Sequence, residues 1–225
     1  KGIIDLTGIE DCPILTNLFC GSNQLTSLDV SSNTSLNILE CENNELTTLD
    51  LTNNTELGRL HCYENQLTNL DVSNNPALEI LWCHQNQLTN LDVSNSINLL
   101  DLYAENNQLT SLDVSNNSAL TYLGVSINQL TSLDVSNNTA MEHFSCSSNQ
   151  LTSLDVSNNS ALTYLAAMDN QLDSLDVSNN TALTTFACYN NQLTYLNMSN
   201  GVADEMQVLH VFGNLFSCIL VNEED

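Results

Sequence analysis

Asn149-Gln150-Leu151-Thr152-Ser153-Leu154-Asp155-Val156-Ser157-Asn158-Asn159 recurs, with small changes, from Asn23, Asn44, Asn65, Asn86, Asn107, Asn128, Asn170 and Asn191, always 21 residues apart. A fixed period of that size means stacked coils, none able to bury its apolar side alone. Full coils start at Leu15, Leu36, Leu57, Leu78, Leu99, Leu120, Met141, Leu162 and Leu183, and a degenerate tenth starts at Met206. The reading is one domain in three parts: residues 1–14 as an N-terminal cap or half repeat, 15–205 as nine repeats, and 206–225 as the last repeat and C-terminal cap. Phe216 to Val221 reads as a final strand covering the open end of the core, and Asn222 to Asp225 as a frayed polar tail.

The coil Leu57-x-x-Leu60-x-Cys62-x-x-Asn65-x-Leu67-x-x-Leu70-Asp71-Val72-x-Asn74-Asn75 displays the pattern. It resembles the leucine-rich repeat, L-x-x-L-x-L-x-x-N/C-x-L. Its two halves resemble each other as well, as in the short 21-residue bacterial subtype termed IRREKO. Leu60 and Cys62 alternate inward, as do Leu70 and Val72, so each half predicts one short strand. No gap between apolar anchors has room for a helix. The expected fold is an all-β solenoid of about ten coils, with two parallel sheets, little or no helix, weak curvature and a length of roughly 48 Å.

Two series of fixed side chains belong to this frame. An Asn at the first turn of every coil suits backbone groups that need partners. Cys20, Cys41, Cys62, Cys83, Cys146 and Cys188 share one inward slot with Ala104, Val125, Ala167 and Val211, so the column predicts buried free thiols that act as small hydrophobes.

Acidic residues number 27 against two basic ones, Lys1 and Arg59, for a net charge of -25. Such a surface repels nucleic acid and anionic membranes and favours cationic partners or divalent ions. No apolar run is long enough for membrane insertion, and no signal peptide is in view. With Lys1 first, the chain reads as a mature form or a segment of something longer. Nucleophile elbow, zincin and phosphate-loop motifs are missing, so neither an enzyme nor a bound cofactor is expected.

Asp29, Asp50, Asp71, Asp92, Asp113, Asp134, Asp155 and Asp176 form an outward column in the second half of the coil. Like charges so close raise each other's pKa. Two readings are open: solvation with hydrogen bonds from flanking Ser and Thr, or a Ca2+-binding array, for which Asp113, Asp134 and Asp155 are the candidate metal ligands.

Around the first strand, by contrast, outward residues differ from coil to coil. Arg59, His61, Tyr63, Trp82, His84, Tyr103 and Tyr122 fall together there and include the only Trp. An exposed aromatic cluster with an Arg has the composition of an interaction hot spot, and aromatics also stack on sugars. Cross-strand packing that merely stabilises the sheet is the bland alternative. His84 beside Glu105, with His61 near, is a further candidate metal group. The resulting expectation is a non-enzymatic module binding a protein or polysaccharide; the rival is a structural surface spacer, Ca2+-associated through the Asp column. Resemblance to leucine-rich repeat families implies protein recognition first. Placement outside a bacterial cell, or on its surface, follows from that resemblance and the charge. Sequons such as Asn116, Asn137 and Asn158 would crowd one edge if glycosylated, which fits a bacterial source.

Overall fold

The computed structural model describes residues 2–202 and 205–221. The polar tail 222–225 and residues 203–204 at the end of the ninth repeat lie outside them. One 3-10 turn, Ile9–Asp11, precedes the coils. Each coil then contributes one three-residue strand to a parallel sheet of ten: β1 (Asn17–Phe19), β2 (Ile38–Glu40), β3 (Arg59–His61), β4 (Ile80–Trp82), β5 (Asp101–Tyr103), β6 (Tyr122–Gly124), β7 (His143–Ser145), β8 (Tyr164–Ala166), β10 (Thr185–Ala187) and β12 (Val208–His210). Register advances by one coil per strand through most of the stack, so Leu39, Leu60, Leu81 and Leu102 stand above one another.

Those leucines are fully buried, as are Leu57, Cys62 and Leu67 of the same coil, with Leu70 and Val72 nearly so. Each buried Leu contributes about 1.5–3 kcal/mol relative to an exposed one, which is what joins coil to coil. All six column cysteines are buried and free, whereas Cys12 and Cys218 are exposed and free. Burial pushes the Cys83 and Cys146 thiols up to about 12, so they stay protonated.

The first turn is closed by asparagine. In the coil of Asn107, the side-chain Nδ2 donates to the carbonyls of Ala104, Glu105 and Cys83, while Oδ1 accepts the Leu88 N–H at 3.0 Å. One side chain thus satisfies its own turn and the preceding coil. The residue just before each Asn is left-handed: Ser22, Asn43, Glu64, Gln85, Asn106, Ile127, Ser148, Asp169 and Asn190 all have φ between 51° and 57°. Gly213 occupies the same position in the last coil, with φ 65°. Ile127 is the outlier among them, since a β-branched side chain is strained in that conformation.

The second sheet is shorter than expected. Its described strands are β9 (Ser174–Asp176), β11 (Tyr195–Asn197) and β13 (Cys218–Leu220), in the order β13-β11-β9. Earlier coils keep the inward and outward alternation there, as in buried Leu154 and Val156 around exposed Asp155, without closing a ladder. The break follows charge. Where Asp faces Asp in the next coil, like charges oppose pairing. At Asn197 the column loses its charge, Asn197 Nδ2 donates to Asp176 Oδ2 at 3.0 Å, and the Val177 N–H reaches the Asn197 carbonyl at 2.9 Å.

The C-terminal strand adds a coil rather than covering the core, which corrects the expectation from its composition. Phe216 packs against the core, but Leu215, Ile219 and Val221 are exposed, Leu215 at 66%. At the other end, the Ile3 carbonyl accepts the Gln24 N–H as Leu25 accepts that of Glu45 one coil on.

Candidate functional site

In a strand, alternate residues leave by the same face. His61, Trp82 and Tyr103 therefore leave the ten-stranded sheet in register on β3, β4 and β5. Tyr63 and His84 follow β3 and β4 by two residues and leave the same way. Tyr122 belongs to the outward column two residues earlier, where Arg59, Ile80 and Asp101 precede it.

The rings stack. His61 lies on Trp82 at 4.1 Å and 8°, and Tyr63 on His84 at 4.4 Å and 9°. Trp82 meets Tyr103 at 5.1 Å with a 56° tilt. Tyr103 then stacks on Tyr122 at 4.0 Å, although its register partner is Gly124. Glycine makes this diagonal step feasible: a Cβ at Gly124 would lie 2.7 Å from Glu105 Oε1 and 3.2 Å from Tyr122 Cε1. From Tyr122 the ladder continues to His143 at 4.3 Å and on to Tyr164 at 3.9 Å. Six rings on six consecutive coils thus form one line that changes column at Gly124.

All seven sequence-derived residues lie on this face, and six of them stack or tilt against one another. They are half-buried rather than exposed, because each ring covers its neighbours. Arg59 stands apart, its Nη1 at 3.7 Å from Glu40 Oε1. His143 and Tyr164 were missed. They stand in the column of Tyr122, but nothing in the residue types says that the ladder shifts column and runs on.

Burial sets the electrostatics. It holds the His61, His84 and His143 pKa values below the usual imidazole value. For His61 that burial outweighs the opposite pull of Glu40, whose Oε1 lies 3.5 Å from Nδ1, so the contact is not an ion pair at neutral pH. Burial likewise raises Tyr63, Tyr103 and Tyr122, and the last also through its hydrogen bond with Tyr103. Trp82 Nε1, His84 Nδ1 and His143 Nδ1 are buried with no hydrogen-bond partner.

In the Asp column the flanking serines supply the hydrogen bonds that one of the two readings expected, and the pKa values are lowered rather than raised. The carboxyls of Asp113, Asp134 and Asp155 lie below the usual carboxylate range, because Ser115, Ser136 and Ser157 hydrogen-bond to them. Each Oδ1 accepts the N–H of that serine at 2.9 Å. These bonds outweigh mutual repulsion across water. The three aspartates do not converge into a metal-binding group, and neither do His84 and Glu105. Among the described residues such a group is instead formed by Glu40, Glu42 and His61.

With this geometry in hand, similarity to known proteins bears on the fold. A family model described as the LVIVD repeat matches residues 103–124 and 162–191. No curated protein matches the chain. The functional domain of InlJ from Listeria monocytogenes, which includes a cysteine ladder, is 33% identical over 96% of this chain and 62% of its own, with a TM-score of 0.55. An internalin, inlF, from the same organism is 24% identical over 96% of this chain and 65% of its own, with a TM-score of 0.84. The LRIM1/APL1C complex offers a chain 22% identical over 99% of this one and 44% of its own, with a TM-score of 0.79. The chain thus spans less than two thirds of the length of each. Its fold is that of the leucine-rich repeat: a parallel β-solenoid with a single helical turn among the described residues.

Proposed function

We propose that the chain is a non-catalytic binding module that recognises a protein partner along the aromatic ladder of the ten-stranded sheet. The observation that carries this reading is the coincidence of two things on one face. That face is where the coils stop repeating, and it is where Trp, Tyr and His gather. A scaffold that repeats elsewhere has no need of such variety, and interfaces concentrate their energy in Trp and Tyr. The LRIM1/APL1C complex is an example of this fold in a protein assembly, which adds support.

Ring orientation favours protein over polysaccharide. Sugars stack on open ring faces, and here the faces between His61 and Tyr164 lie against each other at every step but the tilted one from Trp82 to Tyr103. Stacked rings offer edges rather than faces, and a row of Tyr, Trp and His suits the polar and apolar mixture of a protein surface. With a net charge of -25, the partner surface is basic. We place the module outside a bacterial cell, from its charge and its fold; fractionation confining it to the cytosol would remove that placement.

The test pairs an extracellular-protein pull-down with a glycan array, using the wild type and a Trp82→Ala/Tyr103→Ala double variant. A protein partner should be lost by the variant, by about 2 kcal/mol or more in affinity, while its circular dichroism remains that of the wild type. Retention at full affinity would refute the reading, and capture of glycans alone would redirect it.

A further inference from the structure

At the N-terminal end of the ladder, three metal-binding side chains meet. Glu40 in β2 and Glu42 two residues on leave by the same face, and His61 in β3 stands opposite Glu40. One donor atom from each lies within 4.8 Å of the other two. The placement is built into the backbone: the Glu42 carboxylate lies over Gly21, where any Cβ would collide with it. Two of the polar atoms, Glu42 Oε2 and His61 Nε2, are buried and have no hydrogen-bond partner. A buried carboxylate oxygen facing no donor is costly unless something positive completes it. Arg59, the neighbouring cation, comes no nearer than 3.7 Å to Glu40 Oε1 and is 41% exposed.

We propose that Glu40, Glu42 and His61 bind a divalent transition-metal ion such as Zn2+. One imidazole nitrogen and two carboxylates are a borderline donor set, suited to such ions and leaving coordination positions for water. Ca2+, which takes six to eight oxygens, is a poor match for three donors of which one is nitrogen.

The experiment is a calorimetric titration of Zn2+ into metal-free protein at neutral pH. Trp82, the only tryptophan, stacks on His61 at 4.1 Å and serves as a second readout through its fluorescence. The wild type should bind one equivalent and change its emission along the same isotherm. Glu42→Gln, which keeps size and stacking, should weaken binding at least about tenfold, as should Glu40→Gln. His84→Gln and Glu105→Gln should leave it unchanged. Absence of saturable binding would overturn the proposal. So would equal binding by the wild type and both Gln variants, or displacement of Zn2+ by equimolar Ca2+, either of which marks diffuse counterions on an acidic surface.

Discussion

The two faces of the solenoid share one backbone period and treat it oppositely. On the first face the strands pair through all ten coils, while their outward residues change at every step. On the second face the outward residue is Asp in eight consecutive coils, and among the described residues strands pair only across the last three. A fixed carboxylate column is compatible with coiling because Ser and Thr backbone N–H groups hold each one locally, but it opposes pairing between coils. Variety on the first face has no such effect, since half-buried rings stack where charges repel. Repetition therefore marks the frame, and a regular ladder is found where the repeated residue is uncharged or replaced.

Breaking the frame should have the largest effect. Asn107→Ala leaves the buried Leu88 N–H without a partner and takes one of two donors from the Cys83 and Ala104 carbonyls, which keep Asn86 and Asn128, and should lower stability by about 2 kcal/mol in urea denaturation. A change of the opposite sign is available one coil on. Ile127 has φ 56° and is 55% exposed; Ile127→Asn, the residue other coils carry there, should raise stability by about 1 kcal/mol, read as a higher melting temperature.

Smaller still is the pH response that distinguishes the ladder from the column. The folded pKa values of His61, His84 and His143 lie below the unfolded value of 6.5. Between the two, the unfolded chain binds more protons, so stability is full above the unfolded value and declines as pH falls through that window. Replacing all three with Gln should flatten the slope between pH 7 and 5.5. The Asp column titrates lower. Its folded pKa values lie below 3.8, so its contribution is present above that value and is lost only as pH falls further. Half-buried Asp101 and Glu105, with raised values, act in the opposite sense in the carboxylate range. Smallest of all, Asp155→Asn should let the second ladder extend one coil. Slower hydrogen exchange at the Val156 amide, with the melting temperature unchanged or slightly raised, is the expected result; unchanged exchange would break the account of charge and pairing.

Much of this was legible in the sequence. The 21-residue period, the inward Leu and Cys slots and the first-turn Asn each repeat often enough to assign structure position by position. The left-handed residue before each Asn was not legible, because Ser22, Glu64, Gln85 and Ile127 share a conformation without sharing a chemistry. Nor was the ladder's full course. Residue types place Tyr122, His143 and Tyr164 in one column and Tyr103 in another, and only the space over Gly124 joins them. Glu42 escaped notice for the same reason, since its burial depends on Gly21 in the neighbouring coil.

The central claim is that the variable face binds and the constant face supports. Its most direct test measures the affinity of one captured extracellular protein for three versions of the chain: wild type, Trp82→Ala/Tyr103→Ala, and Asp113→Asn/Asp134→Asn. The account predicts loss of at least about tenfold in affinity for the aromatic variant and wild-type affinity for the aspartate variant. Loss confined to the aspartate variant would contradict it.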